Sequence, residues 1–262
     1  MTAAARSYPA PDPAPHVSAL TWVSVFIRML AIQGSWNYET LLGNGVGFAL
    51  EPALRRLPGG VHTDAFKAAM TRESAYFNAH PYLASVAVGA LARAELSGVP
   101  PERIERFRTA ICGPLGSVGD RLVWAGWLPL SSLVALVTFG LGARPLAVVL
   151  TFVLMYNVGH FGLRIWGLHV GWTRGLAVAS ALANPVLRNG PAYIARAAAA
   201  LAGVAIPLAA ARVVGRDGLL LDFVLAASAL IAVALVRVHG RVEGWKLVLV
   251  LIALFALVSV IR

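Results

Sequence analysis

The sequence predicts an all-α polytopic membrane protein. Amphipathic or re-entrant helices are expected in the N-terminal half and about five transmembrane helices in the C-terminal half. Three observations predict this. The 262 residues are 58% hydrophobic and 13% charged, with a mean hydropathy of +0.73. A soluble domain sits nearer about 45–50% apolar and about 25% charged. Residues 122–142 and 145–163 carry no Asp, Glu, Lys or Arg, and 192–211 carry only Arg196. The apolar runs of the first half are shorter and are broken by Gly and Pro.

Residues 1–17 are rich in Ala and Pro and lack the apolar core of about 7–15 residues that a signal peptide needs. They are expected to be a disordered tail that starts in the cytoplasm. In the region 18–121, Val23, Phe26, Ile27 and Leu30 fall on one helical face, with Arg28 off it. The GNGVG run from Gly43 to Gly47 then interrupts. Phe66, Met70 and Phe77 make a second stripe that should end at the breaker 78–81. Residues 82–92 are apolar but too short to span. Ile104, Phe107 and Ile111 mark a third amphipathic helix, expected to stop at Gly113 and Pro114.

The region 122–262 supplies the spans: 122–142, 145–163, 192–211, 218–236 and 247–261. The last is long enough only if Lys246 and Arg262 snorkel to the interfaces. Threading these spans from a cytoplasmic N-terminus leaves only Arg144, Arg212, Arg216 and Arg262 outside. The positive-inside rule therefore predicts a cytoplasmic N-terminus and an external C-terminus.

Composition also excludes functions. One cysteine, Cys112, rules out an internal disulfide, a Cys-based zinc site and an iron–sulfur cluster. The net charge is +10, but the basic residues mostly flank apolar runs and only Lys67 and Lys246 are lysines. That is a topology signal for a bilayer, with no nucleic-acid partner expected. The scattered histidines show no metal-ligand spacing and no activated nucleophile, so neither a metal nor another cofactor nor an enzymatic centre is expected.

Four blocks in order, FIRMLAIQGSWNYE, FNAHPYLAS, GPLGSVGDRLVW and FVLMYNVGHFGLRIWGLHVGW, resemble the IID membrane component of the mannose/fructose/sorbose family of the bacterial sugar phosphotransferase system. The resemblance covers about residues 22–190. It implies a transport subunit of the bacterial inner membrane. Such a subunit pairs with an IIC membrane subunit in a higher-order hetero-oligomer to form a hexose pathway. Soluble IIA and IIB partners carry the phosphoryl group, and IIB phosphorylates the sugar on entry. Arg121 stands where the pattern has a smaller or apolar residue, and the segment before the last two helices is short. A regulatory or binding subunit that has lost transport is the alternative.

Against that background six residues are candidate sugar ligands. Gln33, Trp36 and Asn37 have the i, i+3, i+4 spacing of one helix face. Amides donate to and accept from hydroxyls, and an indole stacks on a sugar's C–H face. The same residues would also serve as a helix cap and a packed interfacial aromatic. Asn78 and His80 precede Pro81. They are either a plain helix-to-turn break or polar groups on a broken helix at a transport site. Asp120 either pairs with Arg121 or Arg108, or accepts from sugar hydroxyls. Asn157, His160 and Arg164 form a polar stripe read as helix packing, as is an Arg196–Asp222 pair.

Overall fold

The computed structural model describes residues 15–182, 184–214, 226, 227 and 230. These residues form helices and no strand, apart from two isolated bridges, Asn37 to Leu41 and Leu41 to Phe77. Helix α1 is Ala19–Leu30 and α2 is Gly43–Leu54. Next come α3, Asp64–Ser74, α4, Ala84–Leu96, and α5, Pro101–Gly119. A π-helical stretch, Asp120–Trp127, joins α5 to α6, Leu128–Gly140. Beyond it lie α7, Pro145–Arg174, the short α8, Ala179–Leu182, and α9, Pro185–Val214.

Among the described residues, three stretches are long and apolar enough to cross a membrane: Pro101–Gly140, Pro145–Val178 and Leu187–Val213. They contain the expected spans 145–163 and 192–211, and cover 122–142 up to Gly140. The fourth and fifth, 218–236 and 247–261, lie outside the described residues, as do Asp222 and residues 1–14 of the tail.

Two compact units emerge. One holds the described residues up to Ala125 together with Asn157–Pro191; the other holds Gly126–Tyr156 and the described residues from Ala192 onward. In the second unit, Gly140 lies so close to Leu208 and Ala209 that a methyl group would overlap them. Arg212 sits over the Phe139 ring, 5.1 Å from its centroid, and Trp127 Nε1 donates to Tyr156 O at 3.3 Å. Leu146, Val149, Leu150, Val153 and Leu154 point outward, the surface a helix presents to lipid.

The first unit holds one helical hairpin, α1–α2, and a second reversal of the chain in which the non-helical segment 75–83 leads back into α4. Ser18 caps α1 by accepting from Thr21 N. α1 and α2 run antiparallel, tied by Arg28 to Phe48 O (3.2 Å) and to Glu51 (2.8 Å). Gly45 allows the approach, since any Cβ there would overlap Ile32 O. Thr63 caps α3, and Arg72 on α3 binds Glu95 on α4 through two bonds of 2.8 Å. α4 is buried along nearly its whole length. It runs parallel to the second half of α7 because Gly89, Gly167 and Gly171 remove the side chains between the two backbones. α1 runs antiparallel to the same half of α7: Trp22 meets Trp172 edge-on at 4.7 Å, and Arg164 donates to Met29 O.

Four sequence expectations need correction. The 43–47 glycines open α2 instead of interrupting a helix, because they are the close-packed face against α1 and α3. The α3 stripe stops at Ser74, and Phe77 leaves the helix to exchange backbone bonds with the α1–α2 tip, Leu42 N to Phe77 O at 3.0 Å and Phe77 N to Thr40 O at 3.1 Å. α5 runs through Gly113 and Pro114. Pro114 removes one backbone N–H, and the helix continues past it to Gly119. Finally, Gln33, Trp36 and Asn37 do not share a helix face, since α1 ends at Leu30. The Asn37 Oδ1 accepts from Glu39 N and Thr40 N, both at 2.9 Å, an Asx turn that competes with helix.

Candidate functional site

The tips of the two chain reversals meet beside α5, within the first unit. There the Thr40–Leu42 backbone is bonded to Phe77, and Leu41 sits at φ +50°, a left-handed conformation that a leucine holds only under constraint. The tips and α5 enclose an open cleft of about 620 Å³. It is lined by the polar Gln33, Asn78, His80 and Asp120 and by the aromatic Trp36 and Trp124. Five of the six expected residues therefore come together. Asn37 does not; both ends of its amide are spent on the turn, with Nδ2 bonded to Ser35 O and Thr40 Oγ1.

His80 is the most constrained of the five. It is 1% exposed and packs against Gly119, where any Cβ would overlap the imidazole carbons. Tyr82 N donates to its Nδ1 at 3.2 Å. A ring whose Nδ1 accepts carries its proton on Nε2 when neutral. Burial, helped by the nearby Arg164 guanidinium, holds His80 down at about 4 against an ordinary 6.5. It is thus neutral near pH 7, and its buried Nε2 has no partner among the described residues.

The Asn157, His160 and Arg164 stripe lies behind the cleft. His160 Nε2 accepts from Arg164 Nε at 2.8 Å, leaving Nδ1 to donate to Asn157 Oδ1 at 3.2 Å. Tyr82 stacks on His160 at 4.2 Å, with Arg164 over its ring at 5.0 Å. The stripe is packing that supports the two tips. Below the cleft, Arg108 binds Glu73 and donates to Ala75 O at 2.8 Å, so it is not the partner of Asp120. Arg121 also turns away, donating to Ser117 O at 3.1 Å. Burial pushes the Glu73 carboxyl up, against the opposing pull of Arg108.

Trp124 was not singled out in the sequence. It lies four residues after Asp120 on the π-helical stretch, 41% exposed, with its ring 5.0 Å from that of His80. That spacing is the signal that points to it. π-helical turns inside α-helices recur at functional sites because they redirect side chains.

Comparisons with known proteins agree with this picture. A family model described as the PTS system mannose/fructose/sorbose family IID component matches residues 16–214. A mannose-specific EIID component of Escherichia coli (strain K12) is 27% identical over 173 residues, 63% of this chain and 59% of that protein. A fructose permease IID component of Bacillus subtilis (strain 168) is 27% identical over 62% of this chain and 59% of its own length. A sorbose-specific EIID component of Klebsiella pneumoniae is 28% identical over 64% and 61%. The chain thus spans about three-fifths of the length of these relatives. Among solved structures, a chain of the mannose transporter ManYZ in complex with microcin E492 aligns with a TM-score of 0.56 and 24% identity, covering 73% of this chain and 71% of that one. A further membrane protein aligns with a TM-score of 0.63 and 23% identity over the same shares. Both likenesses are in fold.

Proposed function

This chain belongs to the mannose/fructose/sorbose family of phosphotransferase IID components, and we propose that it pairs with an IIC membrane subunit to carry a hexose across the bacterial inner membrane. The observation that carries this reading is the cleft. In a chain that is 58% hydrophobic, the two tips bring amides, an imidazole, a carboxylate and two indoles around one open space. Irregular backbone at membrane depth survives where it faces protein or water, which fits tips that line a wet path. Gln33, Trp36, Asn78, His80 and Asp120 are the proposed sugar ligands, and Asn37 shapes the turn that presents them.

In this reading residues 18–121 present the substrate and 122–262 supply the membrane scaffold. Phosphoryl transfer takes place on soluble IIA and IIB partners, so this subunit binds and conducts and does no chemistry. Orientation follows from charge. α1 begins and α4 ends beside the end of α7 that carries Arg174. Arg93 sits at that end, donating to Trp172 O and Thr173 O beside Arg174. The positive-inside rule puts that end in the cytoplasm, where IIB would meet the sugar.

The test is reconstitution. Proteoliposomes holding this chain with its IIC partner, supplied with IIA, IIB and a phosphoryl donor, should accumulate hexose phosphate from external hexose. Intact complexes that neither bind nor take up any sugar of a hexose panel would overturn the proposal.

A further inference from the structure

Two buried carboxyl groups, Glu73 and Glu95, face each other below the cleft. Glu73, at the end of α3, is 0% exposed, and Glu95, on the last turn of α4, is 6% exposed. The Glu73 carboxyl lies within hydrogen-bond reach of the Glu95 carboxyl. Arg72 already donates to both Glu95 oxygens at 2.8 Å, and Arg108 on α5 binds Glu73 Oε2. Glu73 Oε1 is left buried with no hydrogen-bond partner among the described residues. An ionised carboxyl group only accepts, so a buried oxygen of this kind needs a donor. The charged groups facing the pair are Arg72 and Arg108. The helix α2 meets the same end of α3 through Gly43 and Gly47, which lie against Ala75 O and the Ser74 side chain.

We propose that Glu73 and Glu95 share one proton, and that this proton fastens the end of α3 to α4 and α5 and so fixes the connection that enters the cleft. With the proton in place, one carboxyl group donates to the other. Without it, two buried carboxylates meet and repel. Burial raises the Glu73 carboxyl above its ordinary 4.5; Arg108 opposes the rise, and Glu95 adds to it. Two arginines balance two carboxylates without the proton, so it is held loosely and passes to water as the pH rises. The chain carries the effect onward. Ala75 O accepts from Arg108 at 2.8 Å, the Arg108 guanidinium lies 5.2 Å from the Phe77 ring centroid, and Asn78 and His80 line the cleft. On the α5 side, Cys112 Sγ donates to Arg108 O at 3.2 Å, and Cys112 lines the same cleft. The cleft is thereby tied to a proton whatever ligand it takes.

The experiment uses the full chain with its IIC partner in nanodiscs, without added sugar, so its outcome is independent of what the cleft binds. Glu73→Gln keeps an oxygen for Arg108 and turns an N–H toward Glu95, a permanent copy of the protonated form. Because the folded value is raised, the proton's contribution is whole below the ordinary 4.5 and is lost as the pH rises through the folded value. The melting temperature of the parent should therefore fall between pH 6 and pH 9 by about 4 °C more than that of Glu73→Gln. Infrared spectra at pH 6 should show a protonated-carboxyl band that Glu73→Gln lacks. Labelling of Cys112 by a neutral maleimide is read on its own peptide by mass spectrometry and taken as parent over variant at each pH, which cancels ionisation of the thiol. That ratio should rise about threefold over the same pH range. Parallel melting profiles with no such band would mean that a buried water donates to Oε1, and would overturn the proposal. A flat Cys112 ratio would overturn it as well, since the proton would then not reach the cleft connection. Should Glu73→Gln fail to assemble, Glu95→Gln supplies the same N–H from the other side and is read in the same three ways.

Discussion

Gly119 on α5 touches the His80 side chain so closely that a Cβ at position 119 would overlap the imidazole's Cβ and Cγ. This contact holds the connection between α3 and α4 against the α5 side of the cleft. It also explains how a buried histidine keeps one orientation: Gly119 packs one side, Trp124 stands 5.0 Å from the ring, and Tyr82 N holds Nδ1.

Gly119→Ala should therefore disturb binding and stability together. The methyl group must displace the imidazole, an overpacking cost of about 1–3 kcal/mol. Thermal unfolding of the purified complex should fall, and hexose affinity with it. Gly116→Ala on the same helix, whose Cβ would enter the open space of the cleft, is the control for thermal unfolding. Equal behaviour of the two variants would show that the close contact does not matter.

Acid should weaken the fold through His80. Its folded value, about 4, lies below the ordinary 6.5. Between those values the unfolded chain binds the proton and the folded chain does not. The contribution is therefore intact above about pH 6.5 and is lost as pH falls toward 4, at up to about 1.4 kcal/mol per pH unit. Melting temperatures of the parent should drop between pH 7 and pH 5 more than those of His80→Asn. Parallel profiles would rule out His80 as the titrating group.

Glu73 and Arg108 should behave as one unit. Both are buried, and they bind each other below the cleft. Glu73→Ala strands a buried guanidinium and should cost about 3–5 kcal/mol. Removing both charges, as Glu73→Leu with Arg108→Met, should recover most of that loss. A double-mutant cycle on unfolding free energies measures the coupling, and additive losses would contradict it.

The glycine seam between α4 and α7 should be intolerant at defined points. Gly171→Ala drives a methyl group into Val86 O and Ala90 N, whereas Gly162→Ala on the same helix meets nothing within 4 Å. The first should lower expression and thermal stability of the complex, and the second should leave both within the small range of an exposed helical Gly-to-Ala change. Helix propensity favours Ala over Gly at both positions, so an equal loss of stability in the two variants would show that the close approach at Gly171 is not what the methyl group disturbs.

The legible part of this protein was the part that depends on local composition. Uncharged runs such as 145–163 mark spans because a helix in lipid satisfies its own backbone and only its side chains must be apolar, a condition visible residue by residue. Asn78, His80 and Asp120 were legible as polar groups where burial is costly, and the structure brings them to one cleft. The helix face assigned to Gln33, Trp36 and Asn37 was not, because i, i+4 spacing describes a helix that Asn37 ends by binding its neighbours' backbone. Gly113 and Pro114 misled in the opposite direction: α5 continues through them.

By itself, the order of residues determined that this chain lives in a bilayer, is helical, and carries its polar groups in the broken first half, since each of those follows from transfer free energies of single side chains. The tertiary structure decided which of those groups meet. Gly89, Gly167 and Gly171 set how closely the backbones approach, and the bonds between Phe77 and the Thr40–Leu42 segment set where the two tips stop. Contacts between residues 35 or 80 positions apart are properties of packed surfaces, and no spacing rule along one helix encodes them.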